Sequence, residues 1–219
     1  MTAERVVAID GAAGSGKSTL ARNLARAVRL PYVNTGLMYR ALTALAIRGG
    51  VSEDDVEALI DLTRALRFTL IGSDPPVMHV EDFDDGELTT PAVERAVSRV
   101  ARHPRVRSWM HEVQRRLGAN GAVMEGRDIG SVVFPDAVVK LYLEAAPGAR
   151  IERRVRERPS LRSDEIGAVM ENRDELDART NPLTPPAGAI AIDTGVLDAD
   201  ATLRAAIAVI REQAPELLP

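Results

Sequence analysis

Near the start of the chain, "GAAGSGKST" (Gly11 to Thr19) combines residue types and spacings that do chemistry. Gly11, Gly16, Lys17 and Ser18 satisfy the pattern glycine, four residues, glycine, lysine, then serine or threonine. Glycines let backbone N–H groups converge without a Cβ in the way, and a following helix adds unsatisfied donors and the positive end of its dipole. The stretch therefore reads as a phosphate cradle made of Gly11, Ala12, Ala13, Gly14, Ser15, Gly16, Lys17, Ser18 and Thr19. In such a loop the lysine reaches the β- and γ-phosphates of a nucleoside triphosphate, and the Ser18 hydroxyl ligates Mg²⁺.

A cradle of this kind needs a strand before it and a helix after it. The apolar run Val6–Ile9 and the amphipathic stretch after Thr19 supply both. Short apolar segments at 31–33, 122–125, 138–143 and 189–193 read as further buried parallel strands, and helices are predicted at about 36–47, 147–158 and 199–213. This alternation implies a parallel sheet covered on both faces. Two segments interrupt it. Residues 67–90 read as a hairpin, with strands 67–71 and 77–83 around Ser73-Asp74-Pro75-Pro76, followed by helices 91–102 and 104–117. The stretch 150–181 carries eight arginines among many acids and loses helical periodicity at Pro159, which suits a mobile lid.

Three further stretches carry candidate groups. "NTGLMYRAL" (Asn34 to Leu42) places Tyr39 and Arg40 near a helix start, where Thr35 is a candidate cap. "EGRDIGSVVFPDA" (Glu125 to Ala137) follows a buried strand, where open α/β sheets bind ligands. Arg127 and Asp128, adjacent there, read either as a phosphate clamp beside a metal or water ligand or as a local ion pair in a tight turn. "HPRVR" (His103 to Arg107) joins two helices.

Composition narrows the function classes. The chain has 219 residues, 45% of them hydrophobic, no cysteine and a net charge of −4. A disulfide framework and thiolate metal sites are excluded, and a nucleic-acid binder with an overall basic surface is disfavoured. No apolar run approaches membrane-spanning length, and the first strand follows the N-terminus at once, so a cytoplasmic enzyme is expected. A guanine-nucleotide switch would carry an Asn-Lys-x-Asp segment, and the only lysines are Lys17 and Lys140. Asp164-Glu-Ile-Gly167 matches the other switch motif by letters but lies in a charged helical stretch. A small-molecule kinase with a second phosphate site remains.

"IDGAAGSGKST", "NTGLMYR", "SRVARHPRVR", "EGRDIGSVVFPDAVVKLYL", "RDELD" and "AIDT", in that order, resemble the bacterial cytidylate kinases, a family of nucleoside monophosphate kinases. The resemblance implies a three-layer α/β/α P-loop kinase fold with a parallel sheet, a monophosphate-binding insertion at 64–118 and a short lid at 150–182. It implies phosphoryl transfer from ATP to CMP or dCMP with Mg²⁺, by a monomer needing neither nucleic acid nor membrane. Matching motifs assigns the CMP phosphate to Arg40 and Arg127, and the cytosine edge to Ser98 and Arg107. Asp177 takes the ribose, Arg173 the transferred phosphoryl group from the lid, and Asp128 Mg²⁺ through water. Thr35, Tyr39 and Arg179 join the CMP site. Three places depart from the family pattern. Ala12 replaces a common proline, Leu88-Thr89 stands where an arginine is common, and Asp177-Ala-Arg179 is one residue short before an early Pro182-Leu183. Kinases of the same fold acting on shikimate, gluconate or UMP, and a non-catalytic nucleotide-binding module, are the rival readings.

Overall fold

The structure, a computed structural model, describes residues 5–157, 163–180 and 184–219, apart from the side chains at 157, 163–166 and 173. Pro159 and Pro182-Leu183 lie outside the described residues. Strand β1 (Val6–Gly11) is buried along its whole length between two parallel neighbours, β5 (Ala122–Gly126) and β6 (Val139–Glu144). Its side chains alternate between two cores. Val6 and Ala8 belong to one and Val7 and Ile9 to the other, as the period of two in a strand demands. This two-sided burial is why the strand reads as a continuous apolar run.

One core packs under α1 (Lys17–Val28) and α9 (Ala199–Gln213). In α1, Leu20, Ala21, Leu24, Ala25 and Val28 form the apolar stripe, and α9 is started by Asp198, whose carboxylate accepts from Ala201 N at 2.7 Å. The other core packs under α2 (Thr35–Arg48), α3 (Val56–Thr63), α5 (Pro91–Ala101) and α6 (Pro104–Leu117), with the single turn α4 (Asp85–Leu88) between them. Both α5 and α6 begin with proline, whose missing N–H costs nothing there. Helices α7 (Pro147–Glu157) and α8 (Ser163–Thr180) follow β6. No described helix is long and apolar enough to cross a membrane.

With β2 (Tyr32–Asn34), β3 (Phe68–Ile71), β4 (Val77–Val80) and β7 (Ile190–Asp193), the strand order is β3-β4-β2-β5-β1-β6-β7. The hairpin β3–β4 extends the central sheet, because β4 joins it beside β2 through the Tyr32–Val77 pair, and only β3 runs antiparallel. Its second strand also ends at Val80, where the chain leaves the ladder for the capping box of α4. The sequence Asp164-Glu-Ile-Gly167 lies within α8. Chain order reverses where β5 sits between β2 and β1, so the crevice for ligands opens at the carboxyl ends of those three strands.

Candidate functional site

The loop after β1 is shaped as its glycines require. Gly11 has φ +148°, and a Cβ there would stand 2.5 Å from Leu143 O. Lys17 opens α1 and its Nζ donates to Ala12 O at 2.6 Å, folding the ammonium over the cradle. Ser18 Oγ donates to Glu125 Oε2 at 3.0 Å, and the other Glu125 oxygen accepts from Tyr32 OH at 2.5 Å. Burial, with Glu125 beside it, pushes the Tyr32 phenol well above its ordinary range, so it stays a donor. The carboxylate that meets Ser18 is thus Glu125 at the end of the neighbouring strand.

Arg127 and Asp128 do not pair with each other. Asp128 Oδ2 accepts from Arg107 Nη2 and, at 2.9 Å, from His111 Nε2, while Arg127 Nη2 lies 2.7 Å from Asp177 Oδ2. The local-ion-pair reading is therefore excluded. The two side chains are splayed by a π-helical turn, Ile129–Val133, whose first two N–H groups, Ile129 N and Gly130 N, donate to Asp10 at 2.9 and 2.7 Å. Asp10 is 1% exposed, and burial, opposed by these two bonds, raises its pKa from 3.8 to about 6. At the strand end just before this turn, a Cβ on Gly126 would stand 2.7 Å from both Thr35 Oγ1 and Ile129 Cδ1, which is why the glycine is required there.

Lys17, Ser18, Thr35, Tyr39, Arg40, Ser98, Arg107, Arg127, Asp128 and Asp177 line one cleft, together with Ala13 and Gly14. Thr35 Oγ1 does not cap its helix. It donates to Glu125 O at 2.7 Å and so ties α2 to β5. Tyr39 buries its hydroxyl near Asp128, Arg107 and Gln114, and burial pushes its ionisation far above the usual range. Arg40, 8% exposed, donates to Leu88 O at 3.0 Å and Glu94 Oε1 at 3.1 Å. Ser98 Oγ donates to Asp177 Oδ1 at 2.9 Å. Arg127 buries both terminal nitrogens with no hydrogen-bond partner among the described residues, although one of them makes the ion pair with Asp177.

Two expected residues fall elsewhere. Helix α8 continues to Thr180, so Arg179 stands two positions, about 200°, round the axis from Asp177. It is exposed, and Thr180 takes the cleft-facing place beside Asp177. The Arg173 side chain lies outside the described residues.

Several functional side chains escaped the sequence reading. Arg150, Arg153 and Arg154 recur at helical spacing on α7. Arg150 Nη1 donates to Ala13 O at 3.1 Å and Asp174 Oδ2 at 2.6 Å, and Arg153 Nη1 donates to Thr194 Oγ1 at 3.0 Å. Arg154 donates at 2.5 Å to the Glu94 oxygen that Arg40 also meets, and it lines both the cleft and a second cavity behind Gly14, Gly16 and Thr19. The i, i+3, i+4 spacing of these arginines was the available signal. For Asp10 and Glu125 there was none beyond an acid at a strand end.

A mostly parallel sheet, a phosphate cradle after its central strand and a cationic group facing the cradle across one cleft define the class of P-loop kinases. The chain belongs to the cytidylate kinase family, whose model matches residues 7–212. It is 42% identical over 212 residues to a cytidylate kinase of Deinococcus deserti, covering 96% of this chain and 99% of that protein. A cytidylate kinase of Thermus thermophilus is 40% identical over 210 residues, covering 94% and 98%. The chain also matches a bifunctional pantoate ligase/cytidylate kinase of Synechococcus at 41% identity, with 86% of this chain but only 37% of that protein covered. Among solved structures, a gluconokinase of Sinorhizobium meliloti shares the fold, with a TM-score of 0.51 at 14% identity over 99% of this chain and 97% of that one.

Proposed function

We propose that this chain transfers the γ-phosphoryl group of ATP to CMP or dCMP, giving ADP and CDP or dCDP. Arg127 is the observation that carries the reading, because a buried guanidinium nitrogen without a hydrogen-bond partner among the described residues, on a residue lining the cleft that holds Lys17, calls for a second anion there. Arg40 lines the same cleft, held by Leu88 O and Glu94, and in this reading the two arginines fix an acceptor phosphate by charge-assisted bonds. That phosphate oxygen is already ionised, so in-line attack needs no general base.

The base is read where Arg107, Asp128 and Ser98 meet. Both donors to the Asp128 carboxylate among the described residues take Oδ2, which leaves Oδ1 of this cleft-lining residue for a ligand. A carboxylate oxygen accepts from the exocyclic amino group of cytosine and repels the keto oxygen that uracil carries there. Asp177 accepts from the ribose hydroxyls.

Mg²⁺ fits the oxygen pair Ser18 Oγ and Glu125 Oε2, since this ion is held by one or two protein oxygens plus substrate phosphates. When bound it neutralises charge on the phosphates of the donor. Lys17 and Arg154, which border both cavities, stabilise the charge that develops on the transferred group. In this reading the protein works as a cytoplasmic monomer in pyrimidine nucleotide metabolism, without nucleic acid or membrane.

A coupled assay with ATP and CMP, UMP, AMP, shikimate or gluconate tests the proposal. CMP or dCMP gives the highest kcat/KM. Faster turnover of an unphosphorylated acceptor overturns it.

A further inference from the structure

The turn from Asp128 to Val133 is braced by one stripe of α6. Arg107, His111 and Arg115 stand at i, i+4 and i+8, so they share a face. Arg107 and His111 bond Asp128 Oδ2, and Arg115 donates from Nε to Val133 O at 3.1 Å and from Nη2 to Val132 O at 2.9 Å. Asp10 holds the same turn from the sheet side through Ile129 N and Gly130 N. The turn's backbone is therefore fixed by Asp10 and Arg115 without help from His111. The His111 ring, 8% exposed, spends its bond on a side chain rather than on the turn itself.

That division of labour has a consequence for the Asp128 carboxylate. Arg107 borders the cleft, whereas His111 stands one helical turn further along α6, among the buried polar residues. When a base draws on Arg107, His111 is what keeps Oδ2 anchored and Oδ1 turned to the ligand. A carboxylate free to rotate about its last bond would present its two oxygens in other directions, and its preference for a donor at one place on the base would weaken.

We propose that His111 is a positioning residue for pyrimidine selectivity: by anchoring Asp128 Oδ2 it aims Oδ1 at the exocyclic amino group of the acceptor base. The inference rests on the reading of the cleft as a CMP site. It differs from the Arg107 and Asp128 assignments because His111 does not touch the substrate.

The test compares kcat/KM for CMP and UMP in the wild type and in His111→Leu and His111→Gln. The leucine removes the bond at similar bulk, and the glutamine amide nitrogen places a donor where Nε2 stood. His111→Leu lowers the CMP/UMP ratio about tenfold, chiefly through the KM for CMP, with the KM for ATP unchanged. His111→Gln keeps the ratio within about threefold of wild type. If the leucine variant does not fold, His111→Met, unbranched and able to fill an irregular space, gives the same readout. An unchanged ratio in a folded variant, or equal losses for both pyrimidines and for ATP, overturns the role of His111. A wild type that does not prefer CMP at all overturns the reading of the cleft instead.

Discussion

Lys17 and Arg127 divide the chemistry at the level of single residues. The lysine folds over the cradle; in the proposed function it contacts the phosphates being separated, so its charge matters more in the transition state than in binding. Lys17→Ala therefore lowers kcat at least ~100-fold, about 2.7 kcal/mol, in a protein that still folds, as steady-state kinetics will show. Arg127→Ala instead raises the KM for CMP by about ten- to a hundredfold and leaves ATP affinity, read by calorimetry, nearly unchanged. Asp10 gives a pH signature. Its pKa rises from 3.8 to about 6 through burial, so between those values the folded protein holds a proton that the unfolded chain has lost. The stability this contributes is fully present below pH 3.8 and is lost as pH rises through 6, by at most about 3 kcal/mol. Calorimetric melts of the nucleotide-free protein in chelator should show Asp10→Asn gaining stability relative to wild type from pH 4.5 to 7.

Among the elements, α8 and the π-helical turn decide which expected residues reach the cleft. Because α8 stays helical through Thr180, the shortened Asp177-Ala-Arg179 segment carries the arginine to the exposed side. Arg179→Ala accordingly leaves kcat/KM for both CMP and UMP within about twofold of wild type, as exposed substitutions away from special features do. In the proposed function, discrimination then falls to Ser98, Arg107 and Asp128. Most elements were legible in the sequence for a simple reason. Buried parallel strands read as short apolar runs, and Pro91, Pro104 and Asp198 mark helix starts. The π-helical turn was not legible, because nothing in Ile129–Val133 announces that its N–H groups will meet a carboxylate 119 residues earlier in the chain. The same holds for Glu125, whose meaning depends on Ser18 in the next strand's loop. The hairpin's place in the sheet rests on one cross-strand pair, Tyr32–Val77, which local pattern does not encode.

Over the whole molecule, two neighbouring cavities, which the proposed function gives to the two substrates, share Gly14, Lys17, Ser18 and Arg154. Helix α7 meets that boundary through Arg150 on Ala13 O and Arg154 on Glu94. Each ligand should therefore stabilise the fold by itself. CMP at a hundred times its Kd adds about 2.7 kcal/mol, a rise in Tm of roughly 5–10 °C for a chain of this size. In Arg127→Ala the shift at the same CMP concentration falls to about 0.4–1.4 kcal/mol, while that for ATP with Mg²⁺ persists, as thermal melts will register. The central claim, that the cleft beside the cradle accepts a cytidine monophosphate, is tested most directly by kcat/KM for CMP and for UMP with saturating ATP and Mg²⁺. The open Asp128 oxygen beside Arg107 predicts a preference for CMP of at least about tenfold. Equal turnover of the two, or a preference for UMP, contradicts it.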